Sequence, residues 1–223
     1  MSITKSMFHV IFDVGGVVVR LNLGVASKEL QRLSGCSAVE VASLLKEEFS
    51  GSVSGYSLTE KAVAGLISKE AYLSAIHAAL DGRMSAGAIR DVLIGIIGGQ
   101  DDRMLPVIDQ LEQAGWPMSC FSNADQLHWE HILVEVPVMR RFCHKMVSFE
   151  EGVVKPTREA YCRMVDRVGV AADKCVFVDD RLDNVRAADA FGMKALHYTG
   201  PDRLLRDFCR LGLLPDRVLD DAR

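Results

Sequence analysis

Residues 8–19, FHVIFDVGGVVV, constrain this chain more than any other stretch. An apolar run leads to a single acid, Asp13, and the glycine pair Gly15 and Gly16 follows at once. Strands with one wet face alternate between polar and apolar residues. A near-continuous apolar run therefore predicts a strand covered on both faces, as in a parallel sheet packed between helices. Asp13 then stands at the strand's carboxyl end. The two glycines, having no Cβ, allow a sharp turn and a close approach to a bound group. A carboxylate in such surroundings is costly unless a cation or hydrogen-bond donors meet it.

The rest of the chain can support that reading. A length of 223 residues suits one α/β unit with an inserted smaller one, and 49% apolar residues suffice for a sizeable core. The net charge is −4, from 26 basic and 30 acidic residues, and no basic run appears, which argues against a nucleic-acid partner. No uncharged apolar stretch reaches the roughly 18 residues of a membrane span, and none of leader length precedes Asp13, so a cytoplasmic protein is expected. Six cysteines, Cys36, Cys120, Cys143, Cys162, Cys175 and Cys209, share no metal or redox spacing. They are expected to be free, buried thiols.

Residues 22–97 have mainly helical spacing, with helices expected around 22–34, 39–49, 59–66 and 68–80. Ser68 is a natural N-cap for the last of these. SGSVSGYS at 50–57 has loop composition, and GIIGGQ at 95–100 reads as a flexible return. From residue 105 short strands and helices alternate. Strands are expected at 117–121, 145–149, 175–178 and 194–198, separated by helices that end at Gly115, Gly169 and Gly192. Strands joined through helices imply right-handed crossovers and a parallel sheet. The fold class is thus α/β, a Rossmann-like parallel core formed by 1–21 and 98–223, with 22–97 inserted as a helical cap.

Ligands of such sheets bind beyond the carboxyl ends of the strands. The residues collected there are Asp13, then Ser122 and Asn123, then Asp179 and Asp180, with Lys155 shortly after the strand at 145–149. Three carboxylates, a hydroxyl, an amide and an ammonium suit an anionic substrate handled with a hard divalent cation. Simpler roles also exist for some of these residues. Ser122 or Asn123 could cap the next helix, Lys155 could be a surface lysine, and Asp183 and Asn184 read as first-turn acid and cap. His128 and His131 read as a solvated helix face, and Trp116 and Trp129 as packing residues. The glycine pair lacks the GxGxxG spacing of a dinucleotide site.

In order, FDVGGVV, FSNAD, VVKP and FVDDRLDNV resemble the four motifs of the haloacid dehalogenase superfamily, across nearly the whole chain. Within it, the chain is most similar to sugar phosphatases of the glucose-1-phosphatase kind. The resemblance implies a magnesium-dependent phosphatase that acts on a small phosphorylated metabolite through an aspartyl-phosphate at Asp13. It implies that Ser122 and Asn123 hold phosphate oxygens and that Lys155 neutralises charge on phosphate and nucleophile. Magnesium would be held by Asp13, by the main-chain carbonyl of Gly15 and by Asp180, with Asp179 supporting.

Relatives of this type usually place a second aspartate two residues after the nucleophile as general acid and base, and this chain has Gly15 there. General acid–base assistance is typically worth about 10² to 10⁴ in rate. Its loss should favour esters with easily departing groups, such as anomeric or aryl phosphates. Two alternatives stay open at this stage. One is a metal-independent haloacid dehalogenase, and the other is a phosphate-binding protein without turnover.

Overall fold

Both faces of the central strand are covered, which explains why its sequence does not alternate. The computed structural model of the chain describes residues 8–45 and 56–215. Strand β1, His9–Phe12, lies at the centre of a five-stranded sheet of order β5-β4-β1-β6-β7. The other strands are β4 (Met118–Ser122), β5 (His144–Val147), β6 (Cys175–Asp179) and β7 (Lys194–His197), and every pairing is parallel. Val10 and Phe12 pack on one side with Val107, Ile108, Trp129, Leu204 and Phe208. Ile11 packs on the other with Phe121, Phe177, Tyr161 and Met164.

Helices α6 (Leu105–Gln113), α7 (Gln126–Glu135), the short α8 (Ser148–Glu151), α9 (Arg158–Val168), α10 (Leu182–Phe191) and α11 (Pro201–Arg210) connect and cover the strands. Gly169 and Gly192 end α9 and α10 in the left-handed conformation, φ 69° and 103°, as the sequence predicts. From β1 the chain builds β4 and β5 to one side and then crosses back to build β6 and β7 on the other. That reversal leaves a crevice at the carboxyl end of β1, beside Asp13.

Between residues 22 and 97 the chain forms α1 (Leu23–Ser34), α2 (Ala38–Leu45), α3 (Leu58–Val63), α4 (Lys69–Ala79) and α5 (Ala86–Ile94). Three serines start helices here. Ser57 forms a capping box with Glu60, Ser68 caps α4 as expected, and Ser85 caps α5. The helical block has its own apolar cluster, with Leu30, Val41, Tyr72, Ile76, Leu80, Ile89 and Leu93. Most of the expected loop, residues 50–55, and the expected helical residues 46–49 lie outside the described residues.

GIIGGQ is not a flexible return. Ile97–Gln100 forms β3, which pairs antiparallel with β2 (Val19–Leu21), and Asn22 N donates to Ile96 O at 2.7 Å. A glycine-rich segment reads as loose in one dimension because the partner strand lies about 78 residues earlier, a pairing invisible to local composition. The ribbon joins the helical block to the sheet. Further contacts hold the two together. Ser148 Oγ, just after β5, donates to Val63 O at 2.6 Å, and Lys69 pairs with Glu130 at 2.6 Å. At Gly65, φ +70°, a Cβ would meet Phe149 O at 2.1 Å. Because Ser148 follows the carboxyl end of β5, these contacts set the block beside the crevice.

All six cysteines are free, but not all are buried. Cys36, Cys120 and Cys175 are buried and Cys209 is half-buried, whereas Cys143 and Cys162 are exposed. Cys162 lies on the outward side of α9, where the sequence pattern marked no apolar position. No helix of the described residues is long and apolar enough to cross a membrane.

Candidate active site

The sheet register carries Asp13 past the last paired residue of β1, where its backbone N–H still donates to Val178 O at 2.8 Å. The chain then turns tightly. Val18 N and Val19 N both donate to Val14 O, at 3.0 and 2.9 Å, and Gly16 N donates to Val19 O at 2.8 Å. Asp13 is buried, and its Oδ1 accepts from Val14 N at 2.7 Å and pairs with Lys155 Nζ at 2.9 Å.

Lys155 is no surface lysine, since its side chain is 1% exposed. Its Nζ lies 2.7 Å from Asp179 Oδ2 and donates to Phe121 O at 2.8 Å, with the rings of Phe121 and Phe177 at 5.1 and 5.4 Å. A buried ammonium needs all its protons satisfied, and these oxygens do that. The loop carrying Lys155 is held by Asn123. Its Nδ2 donates to Lys155 O at 2.8 Å, and its Oδ1 accepts from Lys155 N at 2.9 Å. The Asn123 amide is therefore occupied at both ends by the lysine's backbone. Ser122 ends β4, buried. Neither residue caps the next helix; that cap is Asp125, whose side chain accepts from His128 N.

Asp179 is buried and fully engaged. Besides Lys155, it accepts from Arg181 N at 2.9 Å and from Asn184 Nδ2 at 3.1 and 3.0 Å on its two oxygens. Asn184 is thus a buried partner of the acid rather than a helix cap. Asp183 does sit in the first turn of α10, paired with Arg181. Asp180 is exposed, and its carboxylate approaches the glycine turn. A Cβ on Gly16, φ +81°, would stand 2.3 Å from Asp180 Oδ2. Gly16 therefore meets both conditions that demand glycine, a left-handed backbone and no room for a side chain.

Oxygens of Asp13, Asp179 and Asp180 lie within 4.8 Å of one another. With Lys155 the one ammonium paired among them, two formal negative charges remain in excess. Burial pushes the Asp13 carboxyl well above the usual carboxylate range; Lys155 opposes this, while Asp179 and Asp180 add to it. Asp180, exposed overall, is raised too, by partial desolvation of its carboxyl and by Asp179. Burial acts to lower Lys155, but Asp13 and Asp179 outweigh it and hold the ammonium above its ordinary range. An all-oxygen, electron-rich cradle with excess negative charge fits a hard divalent cation.

His128 does not face solvent freely. Its Nδ1 lies 2.5 Å from Asp125 Oδ2 and its Nε2 2.9 Å from Leu93 O, so it joins α7 to the end of α5. Helical periodicity placed it correctly on α7 but carried no sign of the neighbouring helix.

Known proteins bear out the resemblance to this superfamily. A model of the haloacid dehalogenase-like hydrolases matches residues 9–192. The chain belongs to this family. Within it, the chain is similar to a phosphatase of Mycobacterium tuberculosis, 24% identical over 95% of this chain and 98% of that one. A sesquiterpene phosphatase of Aspergillus oryzae is 32% identical over 107 residues, 44% of this chain, which spans about half the length of that relative (50%). A haloacid dehalogenase family enzyme of Bacteroides thetaiotaomicron superposes with a TM-score of 0.77 at 17% identity, covering 93% of this chain and 99% of the other. The same Bacteroides enzyme is known as a complex with magnesium and inorganic phosphate, whose TM-score is 0.72 at 16% identity over 87% of this chain and 95% of that one. At these identities the structural likeness concerns the fold, which is the Rossmann-like haloacid dehalogenase fold.

Four features of this haloacid dehalogenase-like site were not singled out from sequence. They are the approach of Asp180 to Gly16, the two hydrogen bonds from Asn184 Nδ2 to Asp179, the Val14 N–H on Asp13, and the aromatic walls of Lys155. Asn184 had a faint signal, an amide one helical turn after a pair of acids. The others depend on backbone direction.

Proposed function

We propose that the protein is a magnesium-dependent phosphatase that hydrolyses a small phosphorylated metabolite, a sugar phosphate being one candidate, through an aspartyl-phosphate at Asp13. The observation that supports it best is the buried Asp13–Lys155–Asp179 chain, at 2.9 and 2.7 Å, with Asp180 beside it. A carboxylate nucleophile and a phosphate dianion repel, so a fixed ammonium beside the nucleophile lowers the barrier most where water is excluded. In this reading residues 1–21 and 98–223 form the catalytic core and 22–97 the cap.

Asp13 attacks phosphorus, oriented by Val14 N–H and Lys155. Asp179 fixes the ammonium and does not ligate metal, since its oxygens are taken by Lys155, Asn184 and Arg181 N. Asp13, the Gly15 carbonyl and Asp180 would hold the magnesium, which would supply positive charge against phosphate and carboxylate. Ser122 offers its hydroxyl to the phosphate. Asn123 contributes through its backbone and by holding the Lys155 loop, because its amide is already committed.

The missing acid at Gly15 points to substrates whose leaving group departs without a proton. Sugar 1-phosphates are of this type, and the likeness to glucose-1-phosphatase-type enzymes fits it. Two acids crowded at the nucleophile weigh against metal-free dehalogenation, because without a metal ion Asp179 and Asp180 add to the burial that raises Asp13's affinity for a proton. The test is hydrolysis of a panel of phosphorylated sugars, nucleotides and cofactors, with magnesium and with EDTA. Turnover that needs magnesium and vanishes in Asp13→Asn supports the proposal. Turnover insensitive to EDTA, or phosphate binding with no turnover, would sink it.

A further inference from the structure

Gly15 leaves a space beside the nucleophile, and the structure fills it with leucine. A Cβ built on Gly15 would lie 3.2 Å from Leu21 Cδ1 and 3.5 Å from Cδ2. Leu21 is the last residue of β2, in register with Ile97 on β3, and it remains 40% exposed. Its isobutyl group therefore packs over Gly15, on the ribbon that leads from sheet to helical block. Asp13 carries the sheet behind it, so the group that departs in line from a phosphate on Asp13 leaves away from the sheet. That is the side on which the ribbon and the block lie.

We propose that Leu21 is a specificity-determining residue that makes the leaving-group side of the site apolar and free of proton donors, selecting aryl phosphates over polar alkyl phosphates. This rests on the phosphatase reading and narrows its substrate class to apolar esters, displacing the sugar phosphate named there as one candidate. In the reaction, an Asp13 oxygen bonds to phosphorus as the ester P–O bond breaks, and the departing oxygen keeps the electron pair as a phenolate. Water then attacks the phosphorus of the aspartyl-phosphate, Asp13 is released as carboxylate, and the water's proton ends on the phenolate. The products are a phenol and inorganic phosphate. A phenolate leaves unprotonated far more readily than an alkoxide, and its ring gains from contact with leucine.

The experiment uses the full chain with magnesium and three esters: phenyl phosphate, benzyl phosphate and glycerol 2-phosphate. Benzyl phosphate is apolar but has an alkoxide leaving group, so it separates contact from leaving-group ability. The wild type should show kcat/KM highest for phenyl phosphate and lowest for glycerol 2-phosphate. Leu21→Asn should lower kcat/KM for phenyl and benzyl phosphate about tenfold and that for glycerol 2-phosphate less than twofold, the size expected for one apolar contact. Leu21→Met, which keeps the apolar wall, should retain the wild-type order. Equal losses on all three esters, or unchanged selectivity in Leu21→Asn, would overturn the role of Leu21 while leaving the phosphatase reading intact. No hydrolysis of any ester by the wild type would overturn both.

Discussion

Replacing Lys155 by methionine keeps an unbranched side chain, one atom shorter, and removes its charge. The wild-type ammonium sits between Asp13 and Asp179 at 2.9 and 2.7 Å and is 1% exposed. Without it, three carboxylates lie with oxygens within 4.8 Å of one another. At an effective dielectric of about 20, each like-charged pair at that distance repels by roughly 3.5 kcal/mol. The site relieves part of this by taking up a proton. What remains is the cost of breaking a buried ion pair, about 3–5 kcal/mol, and a buried Phe121 carbonyl loses its donor. Urea unfolding in EDTA should therefore show Lys155→Met less stable than wild type by about 4 kcal/mol. Ligand at a hundred times its dissociation constant stabilises a folded protein by about 2.7 kcal/mol. The variant's more negative cradle should gain more than the wild type, so magnesium narrows the gap. Turnover should fall by about 10² to 10³, as for loss of one fixed electrostatic donor. A gap below about 1 kcal/mol in EDTA, or one that widens with magnesium, would refute this account of the lysine.

Three further outcomes are expected. Gly16→Ala meets Asp180 Oδ2 at 2.3 Å with φ at +81°, so it should cost about 1–2 kcal/mol in backbone strain and raise the half-saturating magnesium concentration about tenfold; unchanged magnesium titration would count against Asp180 as a ligand. Gly15→Asp asks the exposed end of Leu21, 3.2 Å from the new Cβ, to give by a few tenths of an ångström, and Gly15→Asp with Leu21→Ala, which frees that space, should gain more on alkyl than on anomeric phosphates. Equal gains on both, or none, would refute the leaving-group argument. His9, buried and hydrogen-bonded to Ser119 at 2.7 Å, is held down to about 4 by burial and by nearby His144. Its folded pKa lies below the unfolded 6.5, so the stability it lends is full above pH 6.5 and drains as pH falls towards 4. The whole shift corresponds to about 3 kcal/mol; solvent screening around the ring brings the expected loss over that window to about 1–2 kcal/mol, and His9→Asn should flatten the urea-denaturation profile there.

Local chemistry was enough to find the strand ends. Asp13, Ser122, Asp179 and Asp180 each follow an apolar run, and a parallel sheet must bring such positions to one edge whatever the details of packing. Lys155 follows β5 by a longer loop and arrives at the same edge. Serine caps and glycine stops were legible for the same reason, since they act within one helical turn. Asp125 escaped notice as a cap because Ser122 and Asn123, equally good capping residues, stand just before it.

Sequence by itself determined the fold class and the acid, hydroxyl and lysine positions at the sheet's edge, because apolar periodicity and strand termini are properties of consecutive residues. Only tertiary structure decided how those groups share their charges and bonds. It committed Asp179 to Lys155 and Asn184, spent the Asn123 amide on the lysine's backbone, turned GIIGGQ into a strand and set Leu21 over Gly15. Each of these joins residues across a turn, a ribbon or a distant strand, where direction in space governs and order along the chain does not.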